Sequence, residues 1–184
     1  VKALDIPCTG VEPTASTAAA ARSKGISIIE EFFGRNLAKN LVAQGIQADL
    51  ATANNVLAHV PDINDFISGF SILLKPHGVA TFEFPHLLNL IAENQFDTIY
   101  HEHFSYLSCT AIDRIFAANG LTVFDVEEFP THGGSLRIYA QRNKTGQQPR
   151  SAKVNELLQR EARAGMFTAN FYSGFQANTD KVKN

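Results

Sequence analysis

An α/β fold with a mostly parallel sheet, helices on both faces, an antiparallel last strand and further helices at the C-terminal end is the fold class this sequence predicts. Three observations lead there. Short apolar runs of strand length alternate with segments of helical periodicity, the pattern of a parallel sheet joined by crossover helices. The last two strand-like runs, Leu121 to Phe129 and Ser135 to Gln141, are joined only by Pro130 to Gly134, too short for a crossover helix, so they must pair antiparallel. The 184 residues, 45% hydrophobic and 18% charged, supply a real core for one ordinary domain with an appendage.

The elements follow in order. Val1 to Leu4 reads as the close of a helix, Pro7 and Gly10 punctuate, and Gly10-Val11-Glu12-Pro13 ends a strand on a carboxylate. Thr14 is placed to cap an Ala-rich helix over Ala15 to Ser23, which Lys24-Gly25 stops. Ile26 to Ile29 is a short buried strand with Phe32-Phe33 at its exit, and Leu37 to Val42 is helical up to Gly45. Ala48 to Ala53 is an apolar strand running into Asn54-Asn55. Asp62 then caps a helix whose apolar positions Ile63, Phe66, Ile67, Phe70, Leu73 and Leu74 keep close to a 3.6-residue period. Pro76-His77-Gly78 turns the chain into the strand Val79 to Phe84, Leu87 to Ile91 is a short helix, and Cys109 to Asn119 a clearer one stopped by Gly120. The two final strands come next. The organisation reads as an α/β domain over 1–142, a polar linker over 143–152, and the start of a C-terminal helical or α/β region over 153–184, with helices at Lys153 to Ala164 and Phe167 to Lys183.

Composition excludes several classes of function. With 16 Lys+Arg against 18 Asp+Glu, the net charge of −2 provides no electrostatic footprint for nucleic acid or an anionic membrane. No apolar run approaches the about 20 residues a membrane helix needs, no signal peptide opens the chain, and the expected location is cytoplasmic. Cys8 and Cys109 lie too far apart to suggest a metal site or a disulfide framework.

Open α/β sheets bind ligands at the carboxyl ends of their strands, and four such ends carry polar residues: Glu12, Asn54-Asn55, Glu83 to His86, and the segment before Ser135. Glu12 suits a ribose diol, because a carboxylate accepts two hydrogen bonds at once; it is equally the acidic residue expected at a helix N-terminus. His59, His86, His101, His103 and His132 fall at strand ends or in loops, where imidazoles serve proton transfer or structural hydrogen bonds. The densest segment runs from Gln95 to Tyr106. If it forms a helical turn, Tyr100 and His103 share a face, so that a neutral His103 takes a proton while Tyr100 donates to the developing negative oxygen. Glu102 is placed to orient an imidazole. A zinc reading of His101-x-His103 fails, since Ser105 stands where a second histidine would be needed. In Thr131 to Arg137, Gly133-Gly134 permit close backbone approach to a ligand, and Arg137 suits either a phosphate or an exposed position beyond a glycine turn.

These segments together resemble the S-adenosylmethionine-dependent C-methyltransferases that act on nucleotide-linked keto-deoxysugars. The likeness rests on Gly10-Val11-Glu12-Pro13, on Ala53-Asn54-Asn55-Val56-Leu57-Ala58-His59-Val60-Pro61-Asp62, on Glu83-Phe84-Pro85-His86, on Gln95 to Tyr106 and on Thr131 to Arg137. It implies a class I methyltransferase-like, Rossmann-like sheet and S-adenosylmethionine as cofactor, held by Glu12, Pro13, Phe33, Ala53 and Asn54. It implies a nucleotide-linked keto-deoxysugar as substrate, contacted by Asn55, His86, His132 and Arg137. It also implies a catalytic group of His103 as base, Tyr100 steadying the enolate, Glu102 near the sugar hydroxyls and His59 on the sugar, with no metal.

Two features of that family do not appear: its cysteine-rich zinc-binding region and the Gly-rich loop after its first strand. By motif order the chain starts near the family's second strand and stops before its last small α/β region. The expectation is therefore a fragment of a longer enzyme, with the sheet broken where a central strand belongs, two edges exposed and weak or no catalysis alone. A homo-oligomer would cover such edges equally well. Other readings are a non-catalytic adenosine or nucleotide-sugar binder, a simple O- or N-methyltransferase, and a nicotinamide-dependent nucleotide-sugar epimerase or dehydratase. The last lacks its Tyr-x-x-x-Lys pair, because Phe104 follows Tyr100 and Thr110 follows Tyr106 at that spacing.

Overall fold

A computed structural model describes residues 4–183. The helix end read over Val1 to Leu4 lies, Leu4 apart, outside the described residues. The strands are β1 (Thr9–Val11), β2 (Ser27–Ile29), β3 (Ala48–Asn54), β4 (Leu74–Pro85), β5 (Leu121–Phe129) and β6 (Ser135–Arg142). The helices are α1 (Ala15–Ser23), α2 (Arg35–Ala43), α3 (Ile63–Leu73), α4 (Leu87–Ala92), α5 (Cys109–Ala118), α6 (Ala152–Arg163), α7 (Ala169–Tyr172) and α8 (Phe175–Lys183).

The strands form two sheets, a parallel β1–β2 pair and a four-stranded sheet in the order β3-β4-β6-β5. Within the larger sheet β3 pairs parallel with β4, and β6 pairs antiparallel with both β4 and β5. Three strands therefore share one direction, and the last strand in sequence is the reversed one, wedged between its two predecessors. No ladder joins β1–β2 to β3, and Leu50 on that edge of β3 is 61% exposed. The sheet is thus interrupted where the resemblance implied.

Local chemistry sets most boundaries. Asp62 caps α3 by accepting from the Asp65 N–H at 2.9 Å, and Ser108 caps α5 by accepting from the Ala111 N–H at 3.1 Å. Gly120 stops α5 at φ +84°, a conformation glycine adopts without strain. Thr14 stands at the α1 cap position, but its hydroxyl makes no capping bond; its own N–H is bound by Glu12 Oε1 at 2.7 Å.

Two expectations are corrected. β4 begins at Leu74 rather than Val79, because Leu74 already pairs with Ala48 before the register shifts and Leu50 meets Val79. The helix expected over Phe167 to Lys183 is two helices, α7 and α8, with Gly174 between them. The stretch 143–152, expected as a polar linker, is tied to the rest of the chain by hydrogen bonds. Gln141 and Gln148 exchange two hydrogen bonds at 2.7 and 2.8 Å, Ser151 N–H donates to the Phe124 carbonyl at 2.7 Å, and Arg150 meets the Asp113 carboxylate at 2.9 and 3.0 Å. α6 then lays Val154 and Leu157 into the same core as the sheet.

That core lies on one face of the larger sheet, between Phe82 and Phe84 of β4, Leu136 and Ile138 of β6, and the inward sides of α3 and α5. Aromatic rings run through it as a chain: Phe33 to Phe70 at 4.8 Å between centroids, Phe70 to Phe82 at 4.6 Å, and Phe82 to Phe116 at 4.8 Å. Phe33 thereby ties the exit of β2 to α3, which also packs along α2. Strand alternation leaves Glu83 on the opposite face of the sheet from Phe82 and Phe84.

Candidate active site

The segment that follows α4 brings the predicted catalytic residues together. Tyr100 to His103 is a turn rather than a helix, closed by the His103 N–H on the Tyr100 carbonyl at 3.1 Å. The i, i+3 relation survives, since a turn also folds its first and fourth residues onto each other. The rings of Tyr100 and His103 lie 4.1 Å apart, with Tyr100 Oη 2.9 Å from His103 Nε2. On the other side of the imidazole, Nδ1 is 2.8 Å from the Thr98 carbonyl oxygen. A carbonyl only accepts, so Nδ1 carries a proton, and in the neutral imidazole Nε2 presents a lone pair to which the Tyr100 hydroxyl donates.

His59 reaches the same place from the turn Leu57–His59 after β3. Its ring centroid lies 4.7 Å from that of His103, and its Nδ1 donates to the Glu102 carbonyl at 3.1 Å. The same argument puts a proton on His59 Nδ1. The segment is pinned beneath by the Phe104 and Ser105 N–H groups, both donating to the Ala58 carbonyl at 2.8 and 3.3 Å. The Glu102 group that meets an imidazole is its backbone carbonyl, not the carboxylate expected to orient one. Its carboxylate is exposed, 3.9 Å from His101 Nε2. An apolar recess adjoins His103, lined by Phe84, Leu87, Leu90, Tyr106 and Leu107.

The residues expected to hold the cofactor lie at strand exits. Glu12 is half-buried just beyond β1, continuing the pairing with its N–H on the Ile29 carbonyl at 3.0 Å; Pro13 beside it is exposed. Ala53 is buried in the core face of β3, and Asn54 and Asn55 are exposed at its end. Asn55 turns the chain there at φ +54°, a left-handed conformation that asparagine tolerates better than most residues, with its N–H on the Glu83 carbonyl at 2.7 Å. The Glu12 carboxylate and the Asn54 amide are hydrogen-bonding groups of the kind a ribose diol and an amino-acid moiety require, whereas the Phe33 ring is packed edge-on against Phe66 and Phe70.

Of three further predicted substrate contacts, His86 and Arg137 are engaged by carboxylates of the protein itself, and His132 is exposed. His86 is buried, and its Nε2 donates to Glu161 Oε1 at 2.7 Å. Arg137 lies across the ladder from Glu83, with Nη2 and Nε 2.8 and 3.2 Å from Glu83 Oε2, and its guanidinium stacks on Phe129 at 4.4 Å. The carboxylate thus occupies the fork that was read as a phosphate ligand. His132 is exposed in the turn Thr131–Gly133, at φ +52°. Among the described residues, no three His, Cys, Asp or Glu side chains converge to hold a metal ion. None of the described helices is long and apolar enough to cross a membrane.

The sequence reading passed over Glu161. Its available signal was a carboxylate at the spacing of Val154 and Leu157, on the apolar side of α6. Burial pushes its pKa up, but hydrogen bonds from His86, Thr110 and Cys109 outweigh this and hold the carboxyl below its ordinary range.

Comparison with known proteins gives the class first. The same fold occurs in a methyltransferase of Thermotoga maritima described as a possible histamine N-methyltransferase, with a TM-score of 0.57 and 17% identity over 76% of this chain and 74% of that one. It occurs again in the magnesium protoporphyrin IX methyltransferase of Synechocystis PCC 6803, solved with bound S-adenosylhomocysteine, with a TM-score of 0.54 and 15% identity over 73% and 64%. The fold is that of the S-adenosylmethionine-dependent methyltransferases. The chain belongs to the methyltransferase-domain family, which it matches over residues 3–126, and its residues 130–184 match the C-methyltransferase C-terminal domain. It is also 34% identical over 174 residues to the C-methyltransferase NovU of Streptomyces niveus, covering 95% of this chain and 41% of that relative.

Proposed function

We propose that this chain carries the base and hydrogen-bond donor of an S-adenosylmethionine-dependent C-methyltransferase acting beside the ketone of a nucleotide-linked 4-keto-deoxysugar. The observation that carries the reading is the Tyr100–His103 pair, with Oη 2.9 Å from an Nε2 whose tautomer the Thr98 carbonyl sets. Carbon becomes nucleophilic only after loss of a proton beside a carbonyl. Such a step wants a base that titrates near neutrality and a donor for the charge arriving on oxygen. His103 Nε2 takes the proton from the α-carbon, the C–H electron pair moves into the C–C bond as the carbonyl pair moves onto oxygen, and Tyr100 donates to that oxygen. His59 and Asn55 flank the sugar, and Glu12, Phe33 and Asn54 hold the cofactor. S-adenosylmethionine, when bound, supplies a methyl group already activated on a sulfonium.

The likeness to a C-methyltransferase supports carbon as the methylated atom. The sequence motifs support the keto-sugar. The test is binding of S-adenosylmethionine by calorimetry, followed by solvent deuterium exchange into a nucleotide-linked 4-keto sugar, on the chain and on His103→Ala. Exchange beside the ketone that disappears in the variant is the expected result. Cofactor binding without any exchange would reduce the chain to a binding module.

A further inference from the structure

Glu161 sits on α6, yet its carboxylate ends in a place where two other stretches of chain meet, one at His86 and one at Cys109-Thr110. Oε1 accepts from the Cys109 N–H at 2.7 Å and from His86 Nε2 at 2.7 Å. Oε2 accepts from the Thr110 N–H at 2.8 Å and from Thr110 Oγ1 at 2.6 Å. The side chains of both Glu161 and His86 have no exposed surface. Burying a carboxylate costs several kcal/mol before its partners repay it, whereas the neighbouring positions Val154 and Leu157 cover the core with hydrocarbon alone. A leucine at 161 would serve packing. Four donors converging on two oxygens serve geometry instead.

The geometry fixed there is that of the catalytic segment. Cys109 and Thr110 open α5, so Glu161 caps that helix from outside and supplies the anion its N-terminus favours. His86 opens the other boundary. Its N–H donates to the Gly134 carbonyl at 3.0 Å, it forms a parallel bridge with Leu107, and the Leu87 N–H donates to the Leu107 carbonyl at 2.9 Å. Leu107 is therefore held between the two groups that Glu161 binds, four positions beyond His103, and it lines the same recess.

We infer that Glu161 is a positioning residue for the Tyr100–His103 pair, holding through one buried carboxylate the exit of the segment that carries them and the strand end beside it. The inference rests on the proposed function for its catalytic meaning and on the bonds above for its structural meaning. It also gives α6, at the head of the C-terminal region, a direct part in the site.

The test uses the full chain and two readouts. Glu161→Gln keeps the shape of the side chain but leaves one amide nitrogen facing donors. Thr110→Val removes one of the four bonds with little change of volume. Leu157→Ala on the same helix is the packing control. The imidazole nitrogen signals of His103 by NMR report the Nδ1-protonated tautomer and the Tyr100 bond independently of turnover. Glu161→Gln is expected to shift them and to slow deuterium exchange into the keto sugar about 10- to 100-fold, the scale of a small misplacement of a base, with cofactor affinity changed less than about twofold. Thr110→Val is expected to act in the same direction by less, while Leu157→Ala leaves the signals and the exchange of the folded fraction unchanged. A folded Glu161→Gln variant with wild-type His103 signals overturns the inference. So does a Leu157→Ala variant that moves them equally. If Glu161→Gln does not fold, Thr110→Val decides by the same signals. If the unaltered chain shows no exchange, the proposed base chemistry of this chain fails, and the nitrogen signals alone decide the role of Glu161.

Discussion

Removing one oxygen atom tests the proposed chemistry at its centre. Tyr100→Phe keeps the ring 4.1 Å from His103 and deletes only the hydroxyl 2.9 Å from Nε2. In the resting protein that is one neutral hydrogen bond on a residue 43% exposed, worth about 0.5–1.5 kcal/mol. Folding and cofactor affinity should therefore hardly move. In the transition state the same hydroxyl faces a developing oxyanion, where loss of an enclosed donor costs about 2.7–4 kcal/mol. Tyr100 is only partly enclosed, so the lower end applies, about a hundredfold in rate. The assay is deuterium uptake beside the ketone, followed by mass spectrometry at saturating sugar. A Tyr100→Phe rate within about threefold of the unaltered chain, alongside a His103→Ala variant that is inactive, would refute the assignment of Tyr100 as the oxyanion donor.

Other expectations follow from the same structure. Glu161, with its folded pKa held below the ordinary 4.5, contributes stability that is fully present above that value and lost as pH falls through the folded pKa. The stability advantage over Glu161→Gln in urea titrations should therefore shrink below about pH 4.5 and stay constant above it. Burial, with Glu161 and Asp113 adding to it, pushes the Cys109 thiol up to about 12, so a thiol reagent at neutral pH should label exposed Cys8 and spare Cys109 until the protein unfolds. Phe82→Ala empties the centre of the aromatic chain and should cost about 3–5 kcal/mol in chemical denaturation. Asp62→Ala removes the α3 cap and should cost about 1 kcal/mol by the same measurement.

Much of this architecture was legible one residue after another. The bounds of α1 and β5 match the sequence reading, because helical and strand periodicities, and stop signals such as Gly120, act between near neighbours. The antiparallel pairing of β5 and β6 followed from the short connection alone. Tyr100 and His103 could be paired on paper for the same reason: three positions apart, they meet in any tight turn. The neighbours of that pair were not legible. His59 arrives from the end of β3, and the Thr98 and Glu102 carbonyls that place the two Nδ1 protons carry no signature in residue type. Arg137 looked available to a phosphate until the register of β6 against β4 put Glu83 directly opposite it. His86 looked like a ligand at a strand end until α6 folded back and buried it against Glu161. Local spacing determined which elements form and which adjacent side chains share a face. Only the packing of β6 between β4 and β5, and of α6 onto α5, decided which polar groups find partners, because a hydrogen bond between residues 75 positions apart depends on every turn of chain that lies between them.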